Sequence, residues 1–546
     1  MTNPQSAPAG DDPWRDGEPD PVPFTLGRWA GQVRRGGSLS NLTFDGVDVL
    51  RAVRAVVRDR DWRTAPSAVS TLDVRGTDLL LTGTFDDDGG EDAVHGDWTL
   101  TARATGDTLT VDFTGTTRTA FSRNRFGLVV LHRTDDAGRE LHVRHPDGTS
   151  TTTAFPVDIA PHQPARGIAA LAWSRPGADV ALEFSGDVFE MEDQRNWTDA
   201  SFKTYSTPLD EPFPVALPAG AVVRQRVVVR ATATAAEPAP EPGPVALVAS
   251  GTALPQWGTT GPVDGFDGPL LVELLLADPA WQADLDRAHR IGRPLDVRLV
   301  TDDPDEVRAA LPALAGVPVV RLGAHSATRH VTTAGLWDAL CEDTSGAERV
   351  AGARSHFTEL NRTLAQLPPD AAGVVFASTP QMHDTGRDQV VEAVDVQRLT
   401  AVQAVRSAAG RPVHVGPVTA RARYNAVATT PWRPGRDRTP ADPRTGAPAF
   451  TAWVVASAAA FAVDGVATVV FGDVEGTGAD AVRLLAPLAG RERLDPDGPL
   501  PPGVHVLAGR GPDGDRVLVA NLGPGTRTVV VGGATFTVAP GAVSQG

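Results

Sequence analysis

Lysine is almost missing from this chain. Lys203 is the only one in 546 residues, and Tyr205 and Tyr424 are the only tyrosines. Cysteine is nearly missing too: Cys341 stands alone, which excludes an intrachain disulfide and fits a reducing cytoplasm. No cluster of basic residues offsets a net charge of −17. Phosphate recognition needs clustered Lys/Arg, so nucleic acid and anionic membranes are poor partners. No long uninterrupted apolar run is present. The most apolar stretch, residues 452–471, is broken by Asp464-Gly465 and reads as a buried helix followed by a buried strand. The opening "MTNPQSAPAGDDPWRDGEPDP" is acidic and polar, without the apolar segment of a secretory signal. The chain therefore reads as cytoplasmic. No serine sits in a G-x-S-x-G elbow, which removes the commonest esterase design.

What is present is apolar content of 41%, enough for real cores, in a chain long enough for two to four domains. Residues 1–20 read as a disordered tail. Residues 21–233 hold short alternating runs such as "DLLLTGTF" and "FGLVVLH", the pattern of an antiparallel β-sandwich. The Pro-rich "TAAEPAPEPGP", 234–244, reads as a linker. Across 245–485 near-continuous apolar strands alternate with amphipathic stretches, which means a parallel sheet. Those strands are expected at 269–277, 294–300, 317–325, 349–358, 373–380, 412–418 and 466–474. With a first strand at 253–258 they make a (β/α)8 barrel. The segment "TTGPVDGFDG" is too short and Gly-rich for a helix after that first strand. Residues 486–546 return to hairpin-like alternation, a small C-terminal β-domain.

Barrels place function at the C-terminal ends of their strands. There the sequence offers Arg354, His356, Glu359 and Asn361, then Gln381, His383 and Asp384. Further on come Thr419, Arg421, Arg423 and Tyr424, and last Asp473 and Glu475. Two carboxylates facing across a mouth suit acid/base hydrolysis, since one is held protonated while the other stays ionised. Glu359 pairs naturally with Glu475 or Asp473; against this, Glu359 is equally suited to a structural ion pair with Arg354 or Arg362. His383 is a candidate general base. His356 and Glu359 lie close enough to share a metal, but no third ligand is evident, so neither metal nor cofactor is called for. Two charged aromatic runs, "RDRDWRT" (58–64) and "EDQRNWTDASFKTY" (192–205), read as a packing belt between domains. In it Trp62, Trp197 and Tyr205 bury area and Lys203 satisfies a carboxylate.

In order along the chain, "RDRDWRT", "NRFGLVVLH", "FEMEDQRNWTDASFKTYSTPL", "HFTELNR", "TPQMHD" and "PVHVGPVTARARYN" resemble the D-apionate lactonase family. The likeness runs from about Ser38 to the last barrel strand. It implies an N-terminal β-domain, a central barrel, a C-terminal β-domain and the opening of D-apionolactone to D-apionate. It also implies a pocket drawing on Glu359 with Asn361 and Arg362, His383 with Gln381, and Thr419 with Arg421. Where a Glu-Thr-Thr-Gly end to the last strand is expected, "GDVEGTG" stands, so the second carboxylate is either Asp473 or Glu475. The resulting expectation is a sugar lactonase with Glu359, His383 and Glu475 catalytic. Arg354, Asn361, Gln381, Arg421 and Asp473 would bind substrate. The alternatives are a glycoside hydrolase using Glu359 and Glu475, and a non-catalytic carbohydrate-binding protein with Trp257 and Trp337 lining a groove.

Overall fold

A computed structural model describes residues 12–89, 93–235, 242–430 and 441–546. Among these, the N-terminal region forms two nine-stranded antiparallel sheets packed face to face. Strict alternation drives the packing: in Val94–Thr105 every second residue is buried, as period-two patterning requires. Trp29, Phe85, Phe113, Phe155 and Phe202 fill the space between the sheets. In one sheet Val47–Asp59 pairs with Phe121–His132, which pairs with Phe202–Tyr205, which pairs with Phe189–Asp193. That order brings the two charged aromatic runs together from 130 residues apart.

Eight parallel strands close a barrel: Gln256–Thr259, Leu270–Leu275, Leu295–Val300, Val319–His325, Glu348–Gly352, Gly373–Ser378, Val413–Val418 and Val466–Phe471. No helix separates the first two, as the Gly-rich segment predicted. Pro448–Phe461 is the buried helix expected before the last strand, and no helix among the described residues is long and apolar enough to cross a membrane. The fifth strand ends at Gly352, not at residue 358. His356 caps the helix Phe357–Thr363 in a capping box whose return bond comes from Glu359, and a polar cap with Glu three residues later starts a helix.

Two boundaries differ from expectation. Ala246–Ala253, assigned to the barrel from sequence, pairs antiparallel with Glu492–Asp497 and joins the five-stranded C-terminal sheet. Its exposed, alternating pattern suits an edge strand, not a strand buried on both faces. Residues 12–20, expected to be disordered, pack on the barrel. Trp14 is buried, Ala449 donates its N–H to the Pro13 carbonyl, and Asp12 and Asp16 bind Arg387. Residues 1–11 of that tail, and 236–241 of the expected linker, lie outside the described residues.

The sandwich docks on the helices that follow barrel strands five and six. Thr358 Oγ1 donates to the Asn196 carbonyl at 2.6 Å. Asn361 Nδ2 donates to Asn196 Oδ1 at 2.8 Å and to the Ile159 carbonyl at 3.0 Å. Gln403 accepts from the Ile159 N–H at 2.6 Å and donates back to its carbonyl at 2.9 Å. Arg34, Arg51 and Arg54 on the sandwich pair with Asp388, Glu392 and Asp384. Asn361→Ala strands the Asn196 side chain and one acceptor bond of Ile159 in a dry interface. It is expected to cost about 1–3 kcal/mol, read as a lower urea midpoint at unchanged m-value.

Candidate active site between the sandwich and the barrel

A cavity of about 270 Å³ lies where the sandwich faces the barrel. Its sandwich wall is built by alternation. Arg54, Val56 and Arg58 share one face of their strand; Arg125, Gly127 and Val129 share the same face of the next; Lys203 and Tyr205 continue it; Glu192 follows. The intervening residues Val53, Val57, Leu128, Val130 and Phe202 point into the sandwich core. The opposite wall is Gln194, Trp197, Arg362 and His383.

Lys203 Nζ lies 2.5 Å from Glu192 Oε2, and Trp197 Nε1 donates to Glu192 Oε1 at 3.1 Å. Burial alone would raise the Glu192 carboxyl, but the Lys203 ammonium foremost, with Arg362, outweighs it and holds the group well below the usual carboxylate range. Burial also lowers the Lys203 ammonium. Tyr205 donates its hydroxyl to the buried Glu190, and burial pushes that phenol up. The two aromatic runs do lie between the domains, as expected, but the surface they make is hollow, not closely packed.

His383 Nδ1 is 2.6 Å from Asp199 Oδ2, and the imidazole ring meets Trp197 edge-on with centroids 5.7 Å apart. Burial pushes the Asp199 carboxyl up to about 8, against the pull of Lys203, Arg51 and Arg54. Burial, with Lys203 and Arg58 nearby, lowers the imidazole well below its ordinary value. Both shifts favour the uncharged forms, and Nε2 is the ring nitrogen left for a ligand.

The other sequence candidates are dispersed. Glu359 Oε2 accepts from Ser355 Oγ at 2.6 Å and from the His356 N–H at 3.1 Å, so this carboxylate serves its own helix cap. Glu475 is exposed on the loop before the helix Thr477–Leu485. The facing Glu359–Glu475 pair, on which the glycosidase alternative depends, is not assembled. Asp473 is the inward acid: it accepts from the Ala420 N–H at 3.1 Å, and burial raises its carboxyl. With Arg421 and Thr419 it lines a separate cavity of about 810 Å³ at the barrel mouth. Asn361 is spent on the domain interface. Gln381 donates to the Ala420 carbonyl at 2.6 Å and accepts from Arg444 at 2.9 Å.

Arg354 is held by Glu273, with both contacts at 3.2 Å. Its Nη1 sits 3.0 Å from His330 Nδ1. Arg423 and Tyr424 complete this cluster on Glu273. Burial would raise Glu273, and the two arginines hold it low instead. Trp257 and Trp337 are buried, not groove-lining. Among the described residues no group of three or more His, Cys, Asp or Glu is placed to hold a metal. Sequence reasoning missed Arg58 and Arg125 as wall residues and Asp199 as the partner of His383. For the strand residues the signal lay in charges sharing one face, Arg54 with Arg58 and Glu190 with Glu192, in strands whose other face is apolar.

Removing the lysine leaves a buried carboxylate unpaired. Lys203→Met should destabilise by about 3 kcal/mol or more, and Lys203→Met/Glu192→Leu should recover most of it in thermal unfolding. The Glu192 carboxyl sits below its ordinary 4.5 when folded. Its stabilisation is therefore full above that pH and lost as pH falls. The single variant should lose this part of the acid dependence.

Family models described as D-apionate lactonase, N-terminal domain, and D-apionate lactonase, TIM barrel domain, match residues 11–234 and 325–509. The D-apionate lactonase of Brucella anthropi is 40% identical over 202 residues, covering 36% of this chain and 33% of that protein. The chain thus spans about a third of the length of the curated relative it matches. Among solved structures, a galactose mutarotase-like protein from Lactobacillus casei is 13% identical over 39% of this chain and 100% of its own, at a TM-score of 0.30. A beta-arabinopyranosidase is 10% identical, covering 96% and 98%, at 0.33. A GH30 endoxylanase from Clostridium papyrosolvens is 11% identical, covering 56% and 96%, at 0.34. Both matched domains contribute walls to the cavity, and the chain belongs to the D-apionate lactonase family.

Proposed function

We propose that this protein hydrolyses a sugar lactone, D-apionolactone or a related aldonolactone, in the cavity between sandwich and barrel. The observation that carries the reading is the His383–Asp199 contact of 2.6 Å at the cavity wall, one partner from each matched domain. A neutral imidazole oriented by a carboxylate is a general base for water. Water attacks the lactone carbonyl carbon and its proton passes to His383 Nε2. Asp199 steadies the imidazolium that forms. Lys203 and Arg58 stabilise the tetrahedral oxyanion. Collapse breaks the ring C–O bond, and His383 returns the proton to the departing oxygen. The product is a hydroxy acid, which ionises and releases one proton to solvent. The expected base Glu359 acts at a distance, by fixing the helix that carries Arg362.

Asp199 also sets the pH dependence. Below about 8 its carboxyl holds a proton and donates it to Nδ1, which leaves Nε2 as a donor unable to accept from water. Above that pH, Nδ1–H donates to the carboxylate and Nε2 carries a lone pair. Hydrolysis should rise with pH through about 8, and the step should vanish in Asp199→Asn.

Proton release in weak buffer, over a panel of aldonolactones that includes D-apionolactone, tests the reading. His383→Gln should lose about 10²-fold or more in kcat. Glu359→Gln should lose stability while keeping most of its turnover. A variant pair behaving the other way round returns the base to Glu359. Silence of the wild type on every lactone removes the hydrolase reading, and release of aryl alcohol from aryl glycosides under the same conditions replaces it with a glycosidase.

A further inference from the structure

The cavity wall carries more positive charge than its visible partners neutralise. Five cationic side chains line it, Arg54, Arg58, Arg125, Lys203 and Arg362, against the single carboxylate of Glu192. Arg54 is taken by Asp384 from outside the cavity, and Lys203 by Glu192. Arg362 donates to the Pro161 carbonyl at 3.1 Å and lies over the Trp197 ring. Arg58 and Arg125 are left, and they are direct cross-strand partners in the sheet. Like charges opposite one another in a sheet are destabilising. Neither forms an ion pair among the described residues: Arg58 donates to Thr64 Oγ1 and Arg125 Nη1 to the Asn124 carbonyl at 2.6 Å.

Arg125 is the more telling of the two. It is 6% exposed, yet its Nε and Nη2 have no hydrogen-bond acceptor. Three rings hold it in place: Trp62 at 4.8 Å, Tyr205 at 5.5 Å and Phe213 at 5.6 Å from the guanidinium carbon. Aromatic faces steady a cation but accept no in-plane N–H bonds. An orphaned pair of guanidinium donors in a dry site is costly, and a carboxylate is the planar acceptor that matches it. In a protein of net charge −17 such a local excess of positive charge is a specific feature.

We propose that Arg125 and Arg58 form a carboxylate receptor, and that the cavity binds the ring-opened sugar acid. The choice of ligand rests on the hydrolase reading; the anion site itself does not. A neutral lactone becomes an anion when its ring opens, so the receptor engages its full charge only after the reaction. The sugar acid is accordingly held more tightly than the lactone and competes with it.

Calorimetric titration of the full chain tests this with three probes: D-apionate, its neutral alditol, and inorganic phosphate. D-apionate should bind at least tenfold more tightly than either other probe. Arg125→Gln should weaken D-apionate at least tenfold while leaving the alditol unchanged, and Arg125→Lys should restore part of the loss. If Arg125→Gln does not fold, Arg58→Gln and the wild-type preference for acid over alditol decide the matter. Equal affinity for acid and alditol, or no binding of any probe, overturns the receptor. Phosphate binding as tightly as D-apionate overturns the sugar-acid assignment. Lactone hydrolysis without acid binding removes the receptor and leaves the hydrolase standing. Acid binding without hydrolysis does the reverse.

Discussion

A buried ion pair within three residues fixes how the two large domains meet. Arg195 donates through Nε and Nη2 to the two oxygens of Asp193, at 2.8 and 2.7 Å, with both side chains almost wholly out of solvent. The remaining donors of Arg195 reach the carbonyls of Pro156 and Val157, and Asp193 also takes the Ala160 N–H at 2.9 Å. Two charges this deep are tolerable only when nearly every donor and acceptor is met. The turn that satisfies them, Gln194–Trp197, ends at Thr198 in the left-handed region. That conformation aims Asn196, Trp197, Thr198 and Asp199 at the barrel. Asn196 meets the helix after strand five, Thr198 the end of strand six, and Asp199 meets His383. Docking and the Asp199–His383 contact are thus consequences of one local geometry.

The barrel contributes in an unusual way. Its own mouth is furnished with charge, but that charge is largely self-satisfied: Glu273 gathers Arg354, Arg423 and Tyr424 around one carboxylate. The groups free to meet a ligand lie to one side, where strands five and six hand over to their helices and the sandwich closes against them. The cavity draws one wall from the sandwich sheet and the other from the Gln194–Trp197 turn, the end of the helix Phe357–Thr363 and the segment after strand six that carries His383. The sheet presents charge toward the barrel only because its alternate residues are spent on the sandwich core.

Much of this was legible from residue order. Alternating runs gave the sandwich, apolar strands with intervening amphipathic stretches gave the barrel, and the Gly-rich "TTGPVDGFDG" gave the missing helix. Reading the site by analogy with a barrel mouth did not foresee the place of Glu359, because a glutamate three residues past a polar cap belongs first to its helix. The choice it left between Asp473 and Glu475 needed the turn, which exposes Glu475 and makes Asp473 the inward acid. His383 was identifiable as a lone histidine after a strand, but nothing near it in sequence named its partner.

Composition and periodicity by themselves determined the domain types, the absence of an intrachain disulfide and the poor fit to polyanions. Each depends on residue kind and local spacing alone. Only the tertiary structure decided which residues share a wall. Arg58, Arg125 and the Glu192–Lys203 pair lie far apart along the chain, and strand order, set by sheet packing rather than by sequence distance, makes them neighbours. The dyad of Asp199 and His383 is likewise a product of domain docking. Two groups 184 residues apart come within 2.6 Å only because the two domains pack against each other.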